Sequence, residues 1–213
     1  MTRVNVSLDS LRRETFRAIT GSDHLDDVLA GIESALKAGF NPVKINVVLL
    51  QGINEADVPA FARLTLEKPV DVRFIERMPF GRDSVVGSPD SFSSRKVLEL
   101  IQNEVGPVVA VERGALDGPA TMFTLPGARG RIGVIDPVTG HFCWTCNRLR
   151  LTARGTLRPC LLGPAEIDIR GALRGGASDR DLSEIVREAV LAKPAGSTSH
   201  CASIRDGMNV IGG

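Results

Sequence analysis

The sequence is poor in aromatic residues, in net charge and in long apolar runs. It has no tyrosine and one tryptophan, and aromatic residues make up 4% of its 213 residues, so few rings are available for base stacking. The formal net charge is +1, which argues against a general nucleic-acid or membrane-surface binder. No apolar run approaches the roughly 20 residues that a bilayer-spanning helix needs. The composition therefore predicts no nucleic-acid partner and no membrane partner.

Cysteine is also scarce, and its placement bears on the cellular compartment. The chain has four cysteines, three of which are clustered, unlike the disulfide framework of a secreted protein. The N-terminal segment 1–9 lacks the apolar core of a signal peptide. We therefore expect a reducing, cytoplasmic environment.

The cysteine cluster is the most informative motif of the chain. Cys143 and Cys146 form a Cys-Trp-Thr-Cys sequence, and Cys160 follows after thirteen residues. Thiolates in a Cys-x-x-Cys arc can bind one metal centre, and a third sulfur completes a tripod. Three sulfurs are one short of a closed zinc site but suit an iron–sulfur cluster with one open iron. Both readings stay open on spacing alone. The candidates for a fourth zinc ligand are His141, His200 and Cys201.

Arginines surround this motif. Between Arg129 and Arg174 there are eight arginines and no lysine. The planar guanidinium binds phosphate or carboxylate oxygens two at a time. Because Arg148 and Arg150 lie next to Cys146, we expect them to bind an anionic ligand. Arg154 and Arg158 are expected to stay exposed or to contact phosphate only weakly.

Hydrophobic periodicity predicts alternating strands and helices in the first part of the chain. Strands over 3–9, 43–50 and 70–75 alternate with helices over 24–38 and 55–66, which implies parallel pairing through right-handed crossovers. Beyond residue 92 the predicted elements are a helix at 93–105, strands at 108–112, 120–124 and 131–135, a hairpin of 149–152 with 156–160, and a helix at 179–192.

The predicted parallel strands carry polar residues at alternate positions, unlike strands that are covered on both faces. We therefore expect one face to pack on helices and the other to line a polar, ligand-sized cavity. The polar positions are Asn5, Ser7, Asp9, Lys44, Asn46, Asp71 and Arg73. Three units cannot close a parallel barrel of eight strands, so we expect further strands on the N-terminal side.

Several segments together resemble one known family. They are Arg3–Asp9, Val43–Val48, Arg73–Met78, the three cysteines with their arginines, and the terminal Gly-Gly. With these segments in the same order, the chain resembles the molybdenum-cofactor GTP 3′,8-cyclases, which are radical S-adenosylmethionine enzymes. The resemblance covers residues 3–213.

The resemblance implies a fold and a division of the chain. The fold would be α/β, with a partial parallel (βα) barrel, the last three of six units, followed by a C-terminal α+β region that binds a cluster. The boundaries would be 1–80 for the half-barrel, 81–193 for the cluster- and substrate-binding region, and 194–213 for a flexible tail. We expect the exposed first strand to favour association, with a homodimer as one form.

The resemblance also implies ligands for particular residues. Cys143, Cys146 and Cys160 would hold a 4Fe–4S cluster whose open iron contacts the purine of GTP. The residues that would contact GTP are Lys44, Arg148, Leu149 and Arg150. The residues that would contact S-adenosylmethionine are Ser7 and Met78. The tail at Gly212 and Gly213 would insert toward the active site.

The reaction implied by the resemblance converts GTP to (8S)-3′,8-cyclo-7,8-dihydroguanosine 5′-triphosphate, which cyclic pyranopterin monophosphate synthase uses next. The family's N-terminal Cys-x-x-x-Cys-x-x-Cys, which binds the cluster that cleaves S-adenosylmethionine, does not occur in this sequence. Without that low-potential cluster we expect no radical initiation by this chain alone. Two other hypotheses are a zinc-stabilised module whose arginine-rich hairpin binds phosphate backbones, and a non-catalytic remnant.

Overall fold

The computed structural model describes residues 2–78, 92–140, 142–161 and 163–194. The chain forms two units, Met1–Arg77 with Pro89–Gly140 and Met78–Ser88 with His141–Gly213. They are called the first and second unit below. Both mix helices and strands, so the predicted α/β class is confirmed at that level. No helix in the described ranges has the length and apolar character of a membrane-spanning segment.

The first unit contains the predicted strand–helix alternation and one further helix. Its elements in chain order are β1 (Val4–Ser7), α1 (Arg13–Thr20), α2 (Leu25–Lys37), β2 (Val43–Leu49), α3 (Val58–Glu67), β3 (Val70–Glu76), α4 (Ser94–Glu104), β4 (Val109–Val111), β5 (Thr121–Thr124) and β6 (Arg131–Ile135). Helix α1 was not predicted because its eight residues are too few to establish a helical period, and Phe16 is the one buried among them.

The six strands form one sheet in the order β1-β2-β3-β6-β5-β4. The pairs β1–β2, β2–β3 and β3–β6 are parallel, and the pairs β6–β5 and β5–β4 are antiparallel. The parallel pairing predicted for β1–β3 is confirmed. Strands β4–β6 also belong to the sheet of the first unit, so this sheet extends beyond residue 80, where the sequence predicts the end of the half-barrel. Strand β6 pairs with β3 over Asp71–Ile75 and satisfies the backbone groups of that edge.

The hydrophobic core lies on one face of the parallel strands. The strand residues buried there are Val43, Ile45, Val47, Val70, Val72, Phe74, Ile132 and Val134. Helices α2, α3 and α4 cover this face, and Phe61 of α3 meets Phe74 edge to face with centroids 6.3 Å apart. Burying each such side chain contributes about 1.5–3 kcal/mol. The opposite face is therefore left for the polar residues.

The elements described in the second unit are, in chain order, a 3₁₀ turn at Cys143–Thr145, β7 (Arg150–Leu151), β8 (Thr156–Arg158), β9 (Ile167–Asp168), α5 (Ile169–Arg174) and α6 (Asp179–Leu191). Strands β7, β8 and β9 form an antiparallel sheet in that order. The predicted hairpin and last helix are confirmed. Strand β9 was not predicted because its two residues show no periodicity. Ser178 and Asp181 form a capping box at the start of α6.

Candidate functional site

The Cys-Trp-Thr-Cys segment forms a single tight turn. The Cys146 N–H donates to the Cys143 carbonyl at 3.2 Å, and the Thr145 N–H donates to the Phe142 carbonyl at 3.1 Å. The two cysteines are half-buried free thiols, while Trp144 between them is 79% exposed. The turn thus keeps both thiols of the pair on one short arc at the protein surface.

The third thiol follows strand β8. Cys160 is also a half-buried free thiol, and its carbonyl accepts the Gly163 N–H at 3.4 Å. A Cβ atom at position 163 would lie 3.3 Å from the Cβ of Cys160. Glycine therefore allows the chain to turn closely around this cysteine.

Lys193 links the two cysteine-bearing segments, and sequence reasoning missed it. Its Nζ donates to the Arg148 carbonyl at 2.6 Å and to the Pro159 carbonyl at 3.1 Å, and it lies 3.6 Å from the Cys146 sulfur. One ammonium group thus contacts the Cys146 segment and the residue that precedes Cys160. A signal existed in the sequence, because Lys193 is the only lysine beyond residue 96.

The donor set fits an iron–sulfur cluster in its chemistry. All three thiols are free, partly accessible and within one unit, and thiolates are the usual ligands of such clusters. In the part of the chain that the structure describes, no three His, Cys, Asp or Glu side chains are grouped to hold a metal ion. The possible zinc ligands His141, His200 and Cys201 lie outside the described residues.

Two arginines face each other across the hairpin beside these cysteines. Arg150 of β7 pairs in register with Arg158 of β8. Burial lowers the pKa of Arg150, and the nearby charges of Arg148 and Arg158 lower it further, against an opposing effect of Cys146. Like charges directly opposite each other are unfavourable. The local excess of positive charge therefore favours an anion at this end of the hairpin.

The burial of Arg158 differs from the expectation that its side chain is exposed. Its side chain is buried, not exposed. It donates to the Glu166 carboxylate at 3.0 Å and to the Gly163 carbonyl at 2.8 Å. The cause is β9, the third strand, which pairs with β8 and brings the preceding Glu166 against it. Arg154 is exposed as predicted.

The other two predicted residues of this segment differ in burial. Arg148 is exposed and Leu149 is half-buried. The backbone of Arg148 is held through its carbonyl by Lys193. Its guanidinium is therefore accessible to solvent while its position along the chain is constrained.

The polar face of the first unit's sheet agrees with the predicted register. Asn5, Lys44, Asp71 and Arg131 lie side by side in one row across β1, β2, β3 and β6. The next row contains Ser7, Asn46, Arg73 and Gly133. The rows bring polar side chains from four strands onto one surface, and Arg131 is a member that sequence reasoning missed.

Lys44 is buried on this face, with 4% of its surface exposed. Its ammonium donates to the Leu116 carbonyl, from the segment between β4 and β5. Burial lowers the pKa of Lys44, and the charge of Arg73 adds to that effect. Lys44 therefore faces inward as predicted, and a backbone carbonyl occupies one of its donors.

Arg131 joins two buried carboxylates beside Lys44. It makes paired contacts with Asp71 at 2.7 and 3.1 Å and with Asp117 at 2.8 and 2.9 Å. Burial acts to raise the pKa of Asp117, but the hydrogen bonds from Arg131 and the Gly114 amide outweigh it and lower that pKa. Asp117 is thus held as an anion next to the lysine.

The remaining predicted residues are placed as follows. Ser7 is exposed at the end of β1, directly beside Asn46, whose Oδ1 is buried and has no hydrogen-bond partner in the described ranges. Met78 is half-buried in the segment after β3. The predicted tail residues Gly212 and Gly213 lie outside the described residues.

Comparisons with known proteins agree along the whole chain. Residues 70–199 match the family described as Molybdenum Cofactor Synthesis C, and residues 1–65 match the Radical SAM superfamily. A GTP 3′,8-cyclase of Thermodesulfovibrio yellowstonii is 44% identical over 212 residues, which are 99% of this chain and 65% of that protein. A GTP 3′,8-cyclase of Heliobacterium modesticaldum is 50% identical over 195 residues, 90% of this chain and 59% of that protein. The chain thus spans about two thirds or less of these relatives.

Proposed function

The chain belongs to the Molybdenum Cofactor Synthesis C family, and from this premise we propose that it is the GTP-binding, cluster-binding part of a GTP 3′,8-cyclase. The reaction would convert GTP to (8S)-3′,8-cyclo-7,8-dihydroguanosine 5′-triphosphate for cyclic pyranopterin monophosphate synthase. The proposal is supported by relatives of that name that are 44–50% identical to the chain. β1–β3 would be the last three of six units of a partial barrel, and the second unit the cluster-binding region.

The observation that carries the proposal is the cysteine–arginine segment of the second unit. Cys143, Cys146 and Cys160 would each donate a thiolate to a 4Fe–4S cluster. When bound, such a cluster supplies one iron without a cysteine, which can bind the purine of GTP. A site with three thiolate ligands and adjacent guanidinium groups leaves one position open for a nucleotide, whereas a closed structural site does not.

The side chains of this segment would bind and orient the nucleotide. Arg148 is solvent-accessible and Arg150 is half-buried beside other positive charges, so both favour an anionic ligand. Leu149 lies between them and would contact the base or ribose through its apolar surface. Buried guanidinium–phosphate contacts exclude water and fix the nucleotide's orientation.

On the first unit, Lys44 would contact GTP in place of its bond to the Leu116 carbonyl. A phosphate oxygen is a stronger acceptor for an ammonium group than a neutral carbonyl. The burial of Lys44 would strengthen its contact with the phosphate.

S-adenosylmethionine would contact Ser7 and Met78. The unpartnered Oδ1 of Asn46 beside Ser7 leaves an acceptor for a ligand N–H or hydroxyl group. The 213 residues contain no Cys-x-x-x-Cys-x-x-Cys motif. The proposal therefore assigns them substrate and cluster binding rather than initiation of the radical.

The first test is the metal content of the chain purified without oxygen. We expect about four irons per chain, in a brown protein with the absorbance of a 4Fe–4S cluster. One zinc per chain and no iron would overturn the cluster assignment and favour the zinc-stabilised module.

The second test is GTP binding measured by anaerobic calorimetry. Arg148→Ala and Arg150→Ala should each weaken binding by about 1.5–3 kcal/mol, the cost of one charged contact. Arg154→Ala is the matched control, because Arg154 is an exposed arginine at the tip of the same hairpin. Equal affinity in all four proteins would contradict the proposed contacts.

A further inference from the structure

The ammonium group of Lys193 has a complete set of partners around the cysteine segments. An ammonium group has three N–H donors and no acceptor. Lys193 meets the Arg148 carbonyl, the Pro159 carbonyl and the Cys146 sulfur at 2.6, 3.1 and 3.6 Å. The longest contact suits the larger radius of sulfur. The partners observed for this ammonium group among the described residues are two carbonyls and one sulfur, none of them a carboxylate, so its positive charge lies beside the cysteine segments.

On the premise of the proposed cluster, we propose that Lys193 is a positioning residue for it. Lys193 holds the Cys146 segment against the segment that leads into Cys160, and it donates to the sulfur of Cys146. It therefore acts on the geometry of two ligands and on the charge of one of them.

The backbone around Lys193 supports this role. Lys193 lies two residues after the end of α6, and its N–H donates to the Val190 carbonyl at 3.2 Å. Helix α6 packs against β8, the strand that continues into Pro159 and Cys160. A cation at the carbonyl end of a helix is also electrostatically favourable. The helix thus delivers the ammonium group to a defined place beside the thiols.

A donor at this place has a predictable effect on a bound cluster. Hydrogen bonds and positive charge at the sulfur ligands stabilise the reduced state more than the oxidised state, because reduction adds negative charge. Lys193→Met removes both the hydrogen-bond donor and the positive charge while keeping an unbranched side chain of similar length. We expect the reduction equilibrium of the cluster to become about tenfold less favourable, a midpoint about 59 mV more negative for a one-electron couple.

A purely structural role for Lys193 makes a different prediction. If the lysine only anchored the end of α6, its loss would lower protein stability but leave the potential of the retained cluster unchanged. The midpoint potential therefore separates the two roles.

The experiment uses the full 213-residue chain, reconstituted with iron and sulfide without oxygen. Iron per chain and the midpoint potential, from redox titrations followed by electron paramagnetic resonance, are measured for wild type, Lys193→Met, Lys193→Gln and Lys193→Arg. Glutamine keeps a neutral donor, and arginine keeps the charge. Arg187→Met is the control, because it removes an exposed cation of α6 that lies 3.8 Å from Glu184.

We expect a more negative midpoint potential in Lys193→Met, a smaller shift in Lys193→Gln, and recovery toward the wild-type potential in Lys193→Arg. Loss of iron from Lys193→Met that Lys193→Arg restores would also support it. Unchanged iron and potential in both Lys193→Met and Lys193→Gln would overturn it, as would an equal shift in Arg187→Met. Absence of iron from the wild type would instead refute the proposed cluster.

Discussion

Arg131→Met removes the guanidinium that joins two buried carboxylates on the polar face of the first unit. Four contacts of 2.7 to 3.1 Å to Asp71 and Asp117 are lost, and both carboxylates are left without this partner. Removing one member of a buried ion pair costs about 3–5 kcal/mol. We expect the lower end, about 3 kcal/mol, because the Arg131 side chain is 34% exposed and water screens part of the interaction.

The assay has to report on one unit, because a chain with two units need not unfold in a single step. Native-state hydrogen exchange, followed by mass spectrometry on peptides from β2 and β3, measures the local free energy of opening. A loss of about 3 kcal/mol speeds exchange there by about a hundredfold. Arg129→Met is the control, since Arg129 makes one exposed bond to the Glu67 carbonyl and should change stability by about 0.5 kcal/mol or less.

The pH dependence of stability tests the same substitution in a second way. The pKa of Asp117 is lowered in the folded protein, mainly by Arg131 against the opposing effect of burial. Its stabilising contribution is therefore present above the unfolded pKa near 3.9 and is lost as pH falls through the lower folded value. In Arg131→Met, burial should raise that pKa instead, so the deficit relative to wild type should grow as pH rises through 4. Exchange equal to wild type from pH 3 to 7 would refute the reasoning.

Four further substitutions test other parts of the structure. Gly130→Ala should destabilise the first unit by about 3 kcal/mol, because the new Cβ would lie 2.0 Å from the Val70 carbonyl oxygen. Gly31→Ala in α2 has open space around the new Cβ and should stabilise the unit by about 0.5–1 kcal/mol. Thermal unfolding compares the two variants. Ser178→Ala should cost about 1 kcal/mol through loss of the α6 cap, seen as faster exchange in α6. Arg158→Met should destabilise the second unit by about 2 kcal/mol, because the Gly163 carbonyl loses a buried hydrogen bond and the partly exposed Glu166 carboxylate loses its partner. No loss of stability in urea titration would contradict these contacts.

Much of the candidate site was predictable because it depends on short-range pattern. The two-residue period places Lys44 and Asn46 on the face opposite the core, and the observed register agrees. The Cys-x-x-Cys spacing predicts one turn that carries two thiols, and the structure has that turn. The ligand roles of these residues stay predictions.

Other features depend on contacts between distant segments, which have no local signature. Strand β6 could pair beside β3 or lie elsewhere, and only the folded sheet decides that its Arg131 meets Asp71, 60 residues away. The burial of Arg158 depends on a two-residue strand, β9, that is too short to show a period.

Local pattern is enough to specify the alternation of strands and helices, the polar register of the sheet and the spacing of the thiols, because each follows from neighbours a few residues apart. Which cation contacts which acceptor depends instead on how the folded elements pack. Lys193 reaches Cys146 across 47 residues, and that pairing exists because α6 packs on β8. Burial of apolar surface brings distant elements together and determines which of them pack. Which polar atoms then meet cannot be read from composition alone.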